Sequence, residues 1–161
     1  MRDIAEHVVE ALGARHDVVL VAVVGSKGST PRNAGSQMLV SEAGLVCGTI
    51  GGGAIEGHAI TKARTMVGED TCFVEDLALR PQAPNSIGMV CGGDAVLLYV
   101  PICAEDDAWT QVASRLLKCF EQRTPAYLAL ECREGGSPFK GTVALFDEQG
   151  ELVAGECSLP G

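Results

Sequence analysis

The sequence has no excess of positive charge. Its 161 residues carry 12 Lys and Arg against 21 Asp and Glu, a formal net charge of −9. Nucleic acid and anionic membranes recruit proteins through basic surface, so neither is expected as a partner. Long apolar runs are also missing. No stretch approaches the roughly 18 uninterrupted apolar residues of a membrane span. Met1 to Glu10 contain Arg2, Asp3, Glu6 and Glu10, which leaves no apolar centre for a secretion signal. There is no Cys-x-x-Cys. The seven cysteines (Cys47, Cys72, Cys91, Cys103, Cys119, Cys132 and Cys157) are odd in number and scattered, with no Cys/His grouping. Neither a disulfide framework nor a structural zinc site is expected. The simplest setting is a reducing cytoplasm, with free and mostly buried thiols.

Nucleotide fingerprints are incomplete. No G-x-x-x-x-G-K-[ST] can be read, and a G-x-G-x-x-G starting at Gly51 would need glycine at position 56, where Glu56 stands. His7, His16 and His58 show no ligand spacing, and none is paired with a nucleophile. They read as surface or capping residues, and no catalytic residue is expected.

What is present is enough to fold. Hydrophobic residues make up 47% and charged residues 20%, and a chain of this length buries about two-thirds of its unfolded surface. Twenty glycines cluster at a few points without a period. Asp3 to Ala14 predicts an amphipathic helix with Ile4, Val8 and Leu12 on one face. Val18 to Val24 reads as a strand buried on both faces. Gln37 to Val40 and Leu45 to Ile50 read as a hairpin, and Ala54 to Val67 as a helix. Thr71 to Leu79 is extended and Asp94 to Ile102 is a strand. Asp106 and Asp107 cap a helix whose apolar series is Trp109, Val112, Ala113, Leu116, Leu117 and Phe120. Ala126 to Cys132 and Thr142 to Phe146 are the last strands. The pattern predicts an α/β fold, with mixed α+β as the alternative: one compact domain with a mixed sheet flanked by helices. Residues 1–104 form its glycine-rich part. Residues 105–161 form a helix-plus-strands segment that completes the same fold, with a soft boundary near Ala104 to Asp107.

Three segments carry the chemistry. Gly25 to Gly35 follows a buried strand, the end at which α/β proteins place ligands. It offers the Ser26, Ser29 and Thr30 hydroxyls, the Lys27 point charge and the Arg32 fork. Lys27 and Arg32 are the only charges between Ser26 and Ser41. A flexible turn with solvated charges has the same composition. Gly51-Gly52-Gly53, between a strand and a helix, exposes backbone N–H groups at the helix's positive end, an anion site. Glu56 lies in the first helical turn. It either supports the helix terminus or pairs with adjacent N–H donors of a pterin. In Gly88 to Asp94, the Cys91 thiol is flanked by glycines before a strand. It reads either as an accessible thiolate for a soft metal or sulfur, or as an ordinary buried cysteine like the other six.

Taken in order, G-S-T-P-R-x-x-G from Gly28, G-T-I-G-G-G-x-x-E from Gly48 and M-V-C-G-G from Met89 resemble the N-terminal domain of the XdhC/CoxI family. These are accessory factors of xanthine dehydrogenase and carbon monoxide dehydrogenase. The similarity covers Val18 to Val100, and extends more loosely to about Gly155. It implies a chaperone that binds the molybdenum cofactor, as molybdopterin or its dinucleotide. Such a protein promotes cofactor sulfuration with a cysteine desulfurase and hands the cofactor transiently to an apo molybdenum hydroxylase. On that reading Lys27, Ser29, Thr30, Arg32, Gly51, Gly52, Gly53, Glu56, Gly92 and Gly93 bind cofactor, and Cys91 faces the metal. The position after the three glycines is often cysteine in this family and is Ala54 here. Longer relatives add a Rossmann domain, which a separate polypeptide would have to supply, and a homodimer is compatible with the pattern. The alternative is a small nucleotide- or phosphate-dependent enzyme using the same glycine loops.

Overall fold

The computed structural model describes residues 1–28, 34–78, 93–132 and 140–157. Its elements run α1 (Arg2–Gly13), β1 (Val18–Lys27), β2 (Gln37–Ser41), β3 (Gly44–Gly48), α2 (Gly53–Arg64), β4 (Phe73–Ala78), β5 (Asp94–Ile102), α3 (Asp107–Gln122), β6 (Ala126–Glu131), β7 (Thr142–Asp147) and β8 (Leu152–Gly155). Five strands form one sheet in the order β3-β2-β1-β5-β4, and β6-β7-β8 form a second. The fold is thus a mixed α and β one. Among the described residues every strand pairing is antiparallel, where a mixed sheet was expected.

β1 is the central strand of the larger sheet, and its alternation divides the interior. Val18 and Leu20 face one core. Val19, Val21 and Val23 face the other. β5 splits likewise, with Leu98, Val100 and Ile102 on the first side and Ala95, Leu97 and Tyr99 on the second. This is the period of two expected of a strand covered on both faces. The first core collects Ile4, Val8 and Leu12 of α1, Trp109, Val112 and Leu116 of α3, and Val143 and Leu145 of the small sheet. The second is closed by α2 through Ile55, Ala59 and Ala63, with Ile50 beneath them.

α3 begins as its sequence predicts. Asp106 is the N-cap, and its carboxylate accepts from the Trp109 N–H at 3.2 Å. The buried stripe ends on Cys119, whereas Phe120 is 37% exposed. β1 runs three residues beyond Val24, into the segment expected as loop, because β5 stays paired with it. Gly25, Ser26 and Lys27 lie opposite Val96, Ala95 and Asp94, after a register shift between Val23 and Gly25. The terminal β8 was not foreseen; it adds to β7 and touches α3. Among the described residues no helix is long and apolar enough to cross a membrane.

Candidate functional site

Antiparallel pairing puts five strand termini at one end of the larger sheet. β1 ends there at Lys27 beside the start of β5 at Asp94, and Asp94 in turn lies opposite Ala78, the last residue of β4. At the same end β2 begins at Gln37, opposite Ala22, and β3 finishes at Gly48, opposite Met38. The chain leaves or enters all three glycine-rich segments from this end. Gly93, directly before β5, is buried. Ser29, Thr30, Arg32, Cys91 and Gly92 lie outside the described residues, as does the side chain of Lys27.

The described part of the site is the turn from β3 into α2. Gly51, Gly52 and Gly53 have φ of 133°, 73° and 62°, a run that residues with a Cβ rarely adopt. Gly52 is the N-cap of α2, with ψ at −176°, in a region that is essentially glycine-only. A Cβ built on Gly52 or Gly53 would meet nothing within 4 Å. Backbone geometry therefore demands these glycines, and open space lies over Gly52 and Gly53. The first amides of α2 lack intrahelical partners, as at any helix start.

Glu56 is folded back into the turn. Its Oε2 accepts from the Thr49 hydroxyl at 2.5 Å and from the Ile50 and Gly52 N–H groups at 3.1 Å each. The Gly51 N–H donates to the Thr49 hydroxyl oxygen at 3.2 Å. Burial acts to raise the Glu56 pKa. The Thr49 hydroxyl and the turn's N–H donors outweigh it, and the carboxyl is held below its ordinary range. Of the two roles open to Glu56, this geometry is the one that supports the helix terminus. Thr49 was not singled out from sequence, although it stands inside G-T-I-G-G-G-x-x-E. Ala54 is exposed in the first turn of α2.

A second polar group sits on the same side of the sheet. Glu75 of β4 accepts from the buried Tyr99 hydroxyl at 2.8 Å and lies 3.0 Å from His58 Nε2 of α2. Burial first, then Glu75, push the Tyr99 phenol well above its ordinary pKa. His58 was expected as an isolated surface or capping residue. It is instead an anchor between α2 and β4, a pairing that spans 17 residues of sequence and leaves no local signal. The expectation of uniformly buried thiols is also corrected. Cys72 and Cys119 are buried, but Cys47, Cys103, Cys132 and Cys157 are only half-buried. Two surface clefts, one bounded by Asp106, Trp109 and Lys140 and one by Arg15, His16 and Arg64, contain no residue of the glycine turn.

Comparison with known proteins places this turn in context. Residues 11–76 match the model of the XdhC and CoxI family. The chain is 40% identical over 67 residues to the "Molybdenum cofactor insertion chaperone PaoD" of Escherichia coli K12, covering 42% of this chain and 21% of that protein. It is 34% identical over 83 residues to the "Uncharacterized protein YqeB" of the same organism, covering 52% and 15%. The matches thus span about a fifth or less of these relatives. Among solved structures, one described as a xanthine dehydrogenase from Bacillus halodurans superposes with a TM-score of 0.70 at 20% identity. The superposition covers 96% of this chain and 45% of that one, and it establishes likeness of fold. The matched segment holds the first three strands, the glycine turn and α2, so the likeness to the XdhC and CoxI family lies in the part of the chain that carries this turn.

Proposed function

We propose that this chain is an accessory protein that binds the molybdenum cofactor and delivers it to a hydroxylase of the xanthine dehydrogenase type. The observation that carries this reading is the glycine turn. Three successive residues at positive φ open the N-terminus of α2, with clear space over Gly52 and Gly53. Amides and the helix dipole at such a terminus suit the phosphate or pyrophosphate of molybdopterin. The family match and the likeness to a named insertion chaperone point the same way.

The residues divide the work. Gly51, Gly52 and Gly53 shape the phosphate cradle. Because the Gly51 and Gly52 N–H groups are engaged by Thr49 and Glu56, the phosphate is taken by the amides from Gly53 onward, with Lys27, Ser29, Thr30 and Arg32 from the neighbouring segment completing the anion site. Glu56 is a positioning residue. Its Oε2 holds the turn, so any contact to a pterin falls to Oε1. Cys91, with Gly92 and Gly93, follows the strand β4 that ends beside Lys27's partner Asp94, and supplies the thiol toward the metal. The bound group brings the redox-active metal centre, and the chain's own part is to bind, orient and shield it. A cysteine desulfurase, the apo-hydroxylase, a separate Rossmann-domain polypeptide and a second copy of this chain are the partners this role calls for, in the cytoplasm.

Reconstitution tests the role. Cofactor carried by the chain should activate an apo-hydroxylase faster than free cofactor, and the Cys91→Ser variant should lose that advantage while keeping its fold. No advantage over free cofactor refutes the role. Thermal stabilisation by nucleotides, with none by pterin, would instead favour a nucleotide-dependent enzyme.

A further inference from the structure

We propose that Asp3, His7 and Cys47 form a binding site for a divalent transition metal of the zinc class, separate from the glycine turn. A ring nitrogen of His7, a carboxylate oxygen of Asp3 and Cys47 Sγ lie within 4.8 Å of one another. The sequence hides this group, because Cys47 is 44 positions from Asp3.

Two elements build the site. Asp3 and His7 are one turn apart on α1, and Cys47 stands on β3. Helix and strand come close because Gly48, the next residue, has no side chain. A Cβ there would meet Ile4 Cδ1 at 3.1 Å and collide with the Gln37 carbonyl oxygen. The Asp3 carbonyl oxygen then gathers both partners. It accepts from His7 Nδ1 at 2.8 Å and from the Cys47 thiol at 3.9 Å. One ring nitrogen of His7 is the ligand: if Nδ1 coordinates, the metal replaces its hydrogen bond to the Asp3 carbonyl, and if Nε2 coordinates, that hydrogen bond holds the ring. His7 Nδ1 also lies 3.7 Å from the Asp3 carboxylate.

The donor set is selective. One thiolate, one imidazole and one carboxylate suit a tetrahedral borderline-soft ion such as Zn²⁺, with water in the fourth position, and suit Mg²⁺ or Ca²⁺ poorly. Burial, and after it Asp3, push the Cys47 thiol up to about 11. A bound cation offsets the Asp3 charge, and metal binding releases the thiol proton to solvent. Asp3 is largely exposed and His7 partly so, so an ion can enter from solvent. A helix-surface role accounts for Asp3 and His7 as an i, i+4 pair, and Cys47 packs at the edge of the first core; what the proposal adds is that the three donor groups converge.

The test is a titration of the full chain, freed of metal by chelator, with Co²⁺ as a spectroscopic substitute for Zn²⁺. The proposal expects one equivalent bound, with a sulfur-to-cobalt charge-transfer band that Zn²⁺ displaces. Cys47→Ser should abolish the band. His7→Gln, at a site exposed enough not to threaten folding, should weaken binding by more than about tenfold. Cys91→Ser should leave the band intact, which separates this site from the cofactor reading. No band in the folded wild-type chain, or a band lost in Cys91→Ser and kept in Cys47→Ser, would overturn the proposal.

Discussion

The Glu56 carboxylate accepts a 2.5 Å hydrogen bond from the hydroxyl of Thr49, seven residues earlier, and that same hydroxyl oxygen accepts from the Gly51 N–H. The two side chains form a clasp across the strand-to-helix turn, bonded to the backbone N–H groups of Ile50, Gly51 and Gly52.

Thr49→Val removes the shared hydroxyl and leaves Glu56 and the Gly51 N–H each one partner short. A loss of about 1–3 kcal/mol is expected in denaturant unfolding. Thr49→Ser keeps the hydroxyl and should recover most of it. Equal loss from both variants would mean that methyl packing, not the clasp, sets the cost.

The depressed pKa of Glu56 gives the clasp a pH signature. A carboxyl whose folded pKa lies below its unfolded value contributes stability above the unfolded pKa, about 4.3 for glutamate. That contribution fades as pH falls through the folded pKa. The difference in unfolding free energy between wild type and Glu56→Gln should be constant near neutrality and shrink below about pH 4.3. A difference that does not change across that window contradicts the assignment.

Gly52→Ala tests backbone strain apart from crowding. A Cβ there meets nothing within 4 Å, so the cost comes from φ of 73° with ψ of −176° and should be about 1–3 kcal/mol. Cofactor affinity should fall by more than the fold does, because the amides that meet the phosphate turn away. Unchanged affinity in a folded Gly52→Ala chain would remove this turn from the binding site.

Tyr99, with 0% exposure, donates to Glu75 in the core under α2. Tyr99→Phe strands that acceptor and should cost about 1–3 kcal/mol. In a Tyr127→Phe background Tyr99 is the sole tyrosine. Its tyrosinate absorbance should then be absent near pH 10, the ordinary value, and appear only with alkaline unfolding. Ionisation near pH 10 in the folded chain would contradict the buried hydrogen bond.

Much of this architecture could be read from residues alone where burial is periodic. Asp94 to Ile102 alternates between two cores and was legible to the residue, as was the Asp106 cap of α3. The signal failed where a long-range partner decides the conformation. Gly25-Ser26-Lys27 has turn composition, yet β5 holds it extended. Leu152 to Gly155 is too short to signal a strand until β7 pairs with it. The glycine turn was visible as composition, but the direction of Glu56 was not, since capping and outward-facing carboxylates share one sequence. His58 with Glu75, and Cys47 with Asp3 and His7, depend on which elements pack together, and single-chain spacing does not encode that.

On the proposed function, the glycine-rich end of the larger sheet binds the molybdenum cofactor. Anaerobic titration of the reduced chain with freshly released molybdopterin tests it most directly. The expected Kd is in the low micromolar range or tighter, about 8 kcal/mol or more. Arg32→Ala should lose about 1.5–3 kcal/mol as one charge-assisted contact, and Lys27→Ala less, because lysine lacks the bidentate fork. No detectable binding by the folded wild-type chain, or binding that neither Arg32→Ala nor Gly52→Ala weakens, would contradict it.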